Sequence, residues 1–101
     1  MKRALPFRTR QAAKDIGQSI RDWRRLQTIT SDELADMAGV SRSTLSRLEN
    51  GDPSVSLATL LNICNAFALT DHVIDAVNPY ETDYRRARAP QSLPQRVRRP
   101  K

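Results

Sequence analysis

Along the chain, apolar residues recur at the spacing of helix faces rather than in the alternation of strands. The first stripe, Ala12, Ala13, Ile16, Ile20 and Trp23, predicts a helix over 9–27 with those side chains inward. Three later helix starts repeat one device. Thr30 and Glu33 form the pattern of a capping box, with Ile29 and Leu34 as the apolar staple across it. Ser41 stands as a cap between Val40 and Leu45, and Ser56 as a cap between Val55 and Leu60. Gly39 and Gly51 fall where a helix closes in the left-handed conformation. The pattern therefore predicts helices over 31–38, 42–50 and 57–68, and a short fifth over 71–77 with Val73, Ile74 and Val77 on one face. The fold class expected is all-α: a compact five-helix domain over 12–77.

Helices 31–38 and 42–50 are separated only by Gly39, Val40 and Ser41, and two short helices joined by such a turn form a helix-turn-helix. On the second helix Leu45 and Leu48 make the inward stripe. Arg42, Ser43, Ser46, Arg47 and Asn50 share the outward one. Arginine carries a fork that matches guanine O6 and N7, and short hydroxyl side chains let a helix approach base edges closely. Taken alone, that stripe is equally what a solvated face looks like. The capped helix and glycine turn before it favour DNA, as does the lack of an acid on it, since Glu49 projects elsewhere.

Residues 16–69 resemble the Cro/cI/Xre-type helix-turn-helix domain of phage and bacterial repressors. The resemblance is carried by ELADMAGVSRSTLSRLENG (33–51) and PSVSLATLLNICNAFAL (53–69). It implies a lambda-repressor-like bundle that binds double-stranded operator DNA as a homodimer, a sequence-specific transcriptional regulator and repressor. By position it makes Arg42, Ser43 and Arg47 base readers with Thr44 and Ser46 beside them, and Asn50 a phosphate contact. It also pairs Arg24 with Glu49 in a partly buried ion pair tying the first helix to the third. Two positions depart from the family pattern. Ser31 replaces the usual Gln that contacts a phosphate, which shortens its reach, and Thr28 replaces the usual Gly, which predicts a different turn after the first helix. The same family includes antitoxins of the HipB type, which accompany HipA-like kinase toxins. That is the alternative reading, with a cognate toxin as partner.

Charge adds a second question. The formal net charge is +6, yet 15–77 holds five arginines against nine acids. The excess lies in a basic N-terminal arm, 1–11, together with Lys14, and in a Pro- and Arg-rich tail, 78–101, which has seven basic residues against two acids. Residues 85–101 offer little to bury, which predicts disorder. Arg8 and Arg10, placed just before the first helix, are candidate phosphate contacts, and Arg98 and Arg99 are candidates in the tail. The alternative is that both arms serve solubility alone. The Val73, Ile74 and Val77 face is the candidate surface for dimerisation or a protein partner, with the end of the fourth helix beside it.

Other chemistries find little support. Cys64 is the only cysteine and sits on an apolar face, so neither a disulfide framework nor a thiolate metal site is expected. His72 has no constellation around it in the sequence, and no glycine-rich phosphate loop follows a strand. Neither an enzyme nor a cofactor or metal is expected, and Trp23 reads as a core or dimer contact. No apolar run approaches membrane-spanning length and no signal core follows the basic start, which predicts a soluble cytoplasmic protein without membrane association.

Overall fold

The structure, a computed structural model, describes residues 4–81 of the chain. Within them are α1 (Phe7–Leu26), α2 (Ser31–Ala38), α3 (Arg42–Glu49), α4 (Leu57–Ala66), α5 (Thr70–Val77) and a 3-10 turn at Pro79–Glu81, with no strand. The chain divides after Thr70 into two units. The first holds α1 to α4, and α5 with the short turn lies almost wholly in the second.

Each of the three polar caps forms. Thr30 Oγ1 accepts from the Glu33 amide at 3.1 Å while Glu33 Oε1 accepts from the Thr30 amide at 2.8 Å. Ser41 Oγ accepts from the Thr44 amide and Ser56 Oγ from the Thr59 amide, both at 3.0 Å. The staple residues then fix where each helix enters the core. Leu34 and Leu45 are fully buried, while Ile29, Val40, Val55 and Leu60 are partly buried against the core. That core is Ile20 from α1, Leu34, Ala35 and Ala38 from α2, Leu45 and Leu48 from α3, and Ile63 and Phe67 from α4 and its end. In it α2 packs on α3 and α4, and α1 packs on α3. Cys64 is also buried, and burial raises its thiol pKa, so it stays an unreactive small hydrophobe.

Helix ends use one device as well. At Gly39, φ is 70°, the Gly39 amide donates to Asp36 O at 3.2 Å and the Val40 amide to Ala35 O at 3.0 Å. The same pair of reversed bonds closes α3 at Gly51, where φ is 83°. It also closes α1 at Thr28, where φ is 56°, and α4 at Ala68, where φ is 57°. Thr28 thus makes the turn that glycine would make, contrary to the expectation of a different one. The bonds to Arg24 O and Arg25 O outweigh the steric cost of a β-branched residue in that region. Replacing the exposed Thr28 by Gly should relieve that cost and stabilise the fold by about 1 kcal/mol, read as a higher urea midpoint.

Two expectations about α1 need correcting. The helix begins at Phe7, after Pro6, so Arg8 and Arg10 stand on its first turns rather than on an arm before it. Arg10 lies over the Phe7 ring, 6.0 Å from its centroid. The inward line of α1 is also rotated from the apolar stripe. Gly17 and Ile20 are its buried residues, while Ile16 is 45% and Trp23 37% exposed. The cause is the backbone approach at Gly17. A Cβ there would stand 2.3 Å from Leu48 O and 2.7 Å from Glu49 O, so α1 presses its smallest residue onto the end of α3. Ile16 is carried outward, and the Trp23 ring lies at the edge of the core, stacked on Phe67 at 6.0 Å.

The predicted tail, with Arg98 and Arg99, lies outside the described residues, as do residues 1–3 of the N-terminal arm. Among the described residues no helix is long and apolar enough to cross a membrane, and no group of residues is suited to hold a metal ion.

Candidate nucleic-acid interface

The end of α3 is anchored to α1 through charge. Arg24 Nε donates to Glu49 Oε2 at 2.8 Å and Arg24 Nη2 to Oε1 at 3.0 Å, a two-pronged pair whose side chains are 16% and 5% exposed. The Glu49 hydrogen bond is the main cause of a raised Arg24 pKa, so the guanidinium stays charged. Arg21 Nε stands 3.6 Å from Glu49 Oε1. Glu49 thus points back into α1, and the outward face of α3 carries no acid.

The outward face of α3 then divides into four groups. At its start, Ser41 Oγ caps the helix, donates to the half-buried Thr44 Oγ1 at 2.9 Å and lies 3.2 Å from Ser43 Oγ. Thr44 is therefore turned into the cap network, while Ser43 is exposed. Arg42 Nη1 donates to Asp32 Oδ1 of α2 at 2.7 Å, an exposed pair. At its end, Arg47 Nε donates to Asp52 Oδ2 at 2.7 Å and Arg47 Nη2 to Ser54 Oγ at 2.8 Å. Asn50 Oδ1 accepts from Arg21 Nη2 at 2.8 Å and its Nδ2 donates to Ser46 Oγ at 3.3 Å. Ser31 is the first residue of α2, half-buried beside the Thr30 cap.

Arg42, Ser43, Ser46 and Arg47 thus stand exposed on α3, with Asn50 exposed at its C-cap. Both arginines are engaged by carboxylates rather than free. A lone exposed pair such as Arg42–Asp32 contributes only about 0–1 kcal/mol, so a phosphate or base edge competes with it easily. Arg21, Asp52 and Ser54 were not among the residues expected at the site. Arg21 lies three residues before Arg24 and so shares its side of α1. The signal for Asp52 is Gly51: the reversed turn brings the Asp52 amide to 2.9 Å from Arg47 O and so sets residue 52 beside residue 47.

Two capped helices crossing a three-residue glycine turn, the second with a polar outward face, define a helix-turn-helix protein. The helix-turn-helix family model matches residues 20–72, slightly more than half of the chain, and the chain belongs to that family, in its Cro/cI/Xre type. It is 36% identical over 73 residues to the antitoxin PezA of Streptococcus pneumoniae, covering 65% of this chain and 46% of that protein. It is 42% identical over 53 residues to a competence pilus inhibition repressor of Acinetobacter baylyi, covering 52% of this chain and 48% of that one. The chain spans about half the length of these curated relatives.

Proposed function

We propose that the protein is a sequence-specific double-stranded DNA-binding transcriptional regulator, a homodimeric repressor that inserts α3 into the major groove of an operator. The observation that carries this is the exposed stripe of Arg42, Ser43, Ser46 and Arg47 on a helix whose opposite side is locked into the core by Leu45 and Leu48. The relative named as a repressor supports the same reading. Repression requires only that the operator be occupied, and helix-turn-helix regulators act by binding rather than by catalysis. Base readout falls to Arg42, Ser43 and Arg47, with Thr44 and Ser46 beside them. Asn50, braced by Arg21, and Ser31 at the start of α2 face the backbone. Arg8 and Arg10 on the first turns of α1 add phosphate contacts that steepen the salt dependence. Ile74 and Val77 are 52% and 79% exposed on α5 and, with Val73, are the proposed dimer or partner face.

Titrating DNA from upstream of the protein's own gene at several salt concentrations tests this reading. A preferred site with tight binding is expected, and binding that ignores sequence would refute it. Arg47→Ala should cost about 1–3 kcal/mol on that site and little on random DNA. Equal losses on both would make Arg47 a phosphate contact. Charge removal at Arg8 and Arg10 should instead weaken both kinds of DNA alike and flatten the salt slope by up to about one per contact.

The relative named as an antitoxin supports a second reading, in which the same DNA-binding domain belongs to a toxin–antitoxin pair and a cognate toxin is the further partner. Co-purification of the neighbouring gene product with this protein decides it.

A further inference from the structure

The loop after α3 holds Arg47 in a particular way. Asp52 Oδ1 accepts from the Ser54 amide at 2.8 Å and from Ser54 Oγ at 2.7 Å, while Asp52 Oδ2 accepts from Arg47 Nε. The Ser54 hydroxyl thus donates to the carboxylate and accepts from Arg47 Nη2, so donors and acceptors close a ring. The Ser54 hydroxyl and amide, then Arg47, hold the Asp52 carboxyl well below the usual carboxylate range, so it remains an anion. Asp52 is therefore fixed by its own loop, independently of Arg47.

What this leaves free on Arg47 matters most. The ring takes up the side edge of the guanidinium, Nε and one Nη2 hydrogen. The distal edge, Nη1 and the second Nη2 hydrogen, remains, and the side chain is 50% exposed. Two parallel N–H groups at that edge suit guanine O6 and N7. Arg42 is the contrast. Only its Nη1 is engaged, by the exposed Asp32 of α2, so nothing comparable to the Asp52–Ser54 ring fixes its rotamer.

We propose that Asp52 and Ser54 are positioning residues for base readout: they hold Arg47 so that its distal edge is presented ready-made to a guanine. This rests on the DNA-reading function proposed above. Two consequences follow from the chemistry. An arginine already held in one rotamer loses less freedom when it meets its base. The adjacent carboxylate also offsets its charge, so Arg47 adds little to the general attraction for phosphate. Asp52 thus exchanges affinity for selectivity.

Selection of bound duplexes from a random pool by the full chain tests this, followed by titration of the selected site and a variant with the key guanine replaced. For the wild type, that replacement should cost at least about tenfold in affinity. Arg47→Ala should abolish the preference at that one position. Asp52→Asn should reduce it to about threefold or less while raising affinity for random DNA at low salt. Ser54→Ala, a change at an exposed hydroxyl, should weaken the preference in the same direction and by less, and thermal melts establish that each variant is folded. If Asp52→Asn or Ser54→Ala keeps or sharpens the guanine preference, the loop sequesters Arg47 and the proposal fails. If the wild type selects a site in which Arg47→Ala changes no position, the proposal fails while the DNA-reading function stands. If the wild type selects no sequence, both fail.

Discussion

Arg24→Met is expected to destabilise the fold by about 3–5 kcal/mol, because it leaves the Glu49 carboxylate buried without its two-pronged partner. Arg21, at 3.6 Å from one oxygen, offers a partial substitute and sets the lower end of that range. For a small domain whose whole stability is about 5–10 kcal/mol, this loss removes much of the margin. The thermal midpoint should fall by at least about 12 °C. The pair is not stabilising merely because it is present: two charges must leave water before they attract each other, and apolar residues of similar size can do as well. The double variant Arg24→Met/Glu49→Met should therefore lose less than Arg24→Met alone. Urea titrations of the single and double variants give both numbers. A single-variant loss below about 1 kcal/mol would mean that solvent screens the pair as it does exposed ones.

Gly17→Ala is the second large effect, and its sign is set by two opposed terms. Alanine is better than glycine inside a helix by about 1 kcal/mol, which alone predicts stabilisation. The new Cβ, however, would stand 2.3 Å from Leu48 O and 2.7 Å from Glu49 O, both backbone atoms with no flexible end to swing aside. Overpacking of that kind costs about 3 kcal/mol, so a net loss of about 2 kcal/mol is expected. Ser19→Ala, on the exposed side of the same helix, is the control and should be neutral or slightly stabilising. Because the displaced backbone is the end of α3, Gly17→Ala should also weaken binding to a preferred DNA site beyond what its stability loss explains. Equal stability of the two variants would mean that α1 can slide away from α3 without cost.

Gly51 shows how closely α3 is bound to α1. Its φ of 83° makes the turn, and a Cβ there would also lie 2.7 Å from Lys14 Cα. α3 is therefore held at its far end by Gly17, Gly51 and the Glu49 pair, and at its near end by the Ser41 cap and Val40. Rigid support of this kind places side chains such as Ser43 and Ser46 at fixed positions, which base readout requires.

The helices, their caps and the glycine turn were legible in the chain because each depends on residues within about one turn of one another. Thr30 finds Glu33, Ser41 finds Thr44, and Ser56 finds Thr59 without help from the rest of the molecule. The pairing of Arg24 with Glu49 spans 25 residues, and no local pattern indicates it; family resemblance alone suggested it. Three features were decided only by the tertiary structure. The rotation of α1, which turns Gly17 inward and Ile16 outward, follows from a close backbone approach that hydrophobicity does not encode. The bracing of Asn50 by Arg21 joins residues 29 apart on different helices. The hold of Asp52 and Ser54 on Arg47 is short in sequence but exists only because the left-handed turn at Gly51 folds the chain back on the helix it ends. Local hydrogen bonding therefore determined where the helices and caps fall, while the approach of α1 to α3 and the turn at Gly51 determined which polar atoms of α3 are engaged and which stay free.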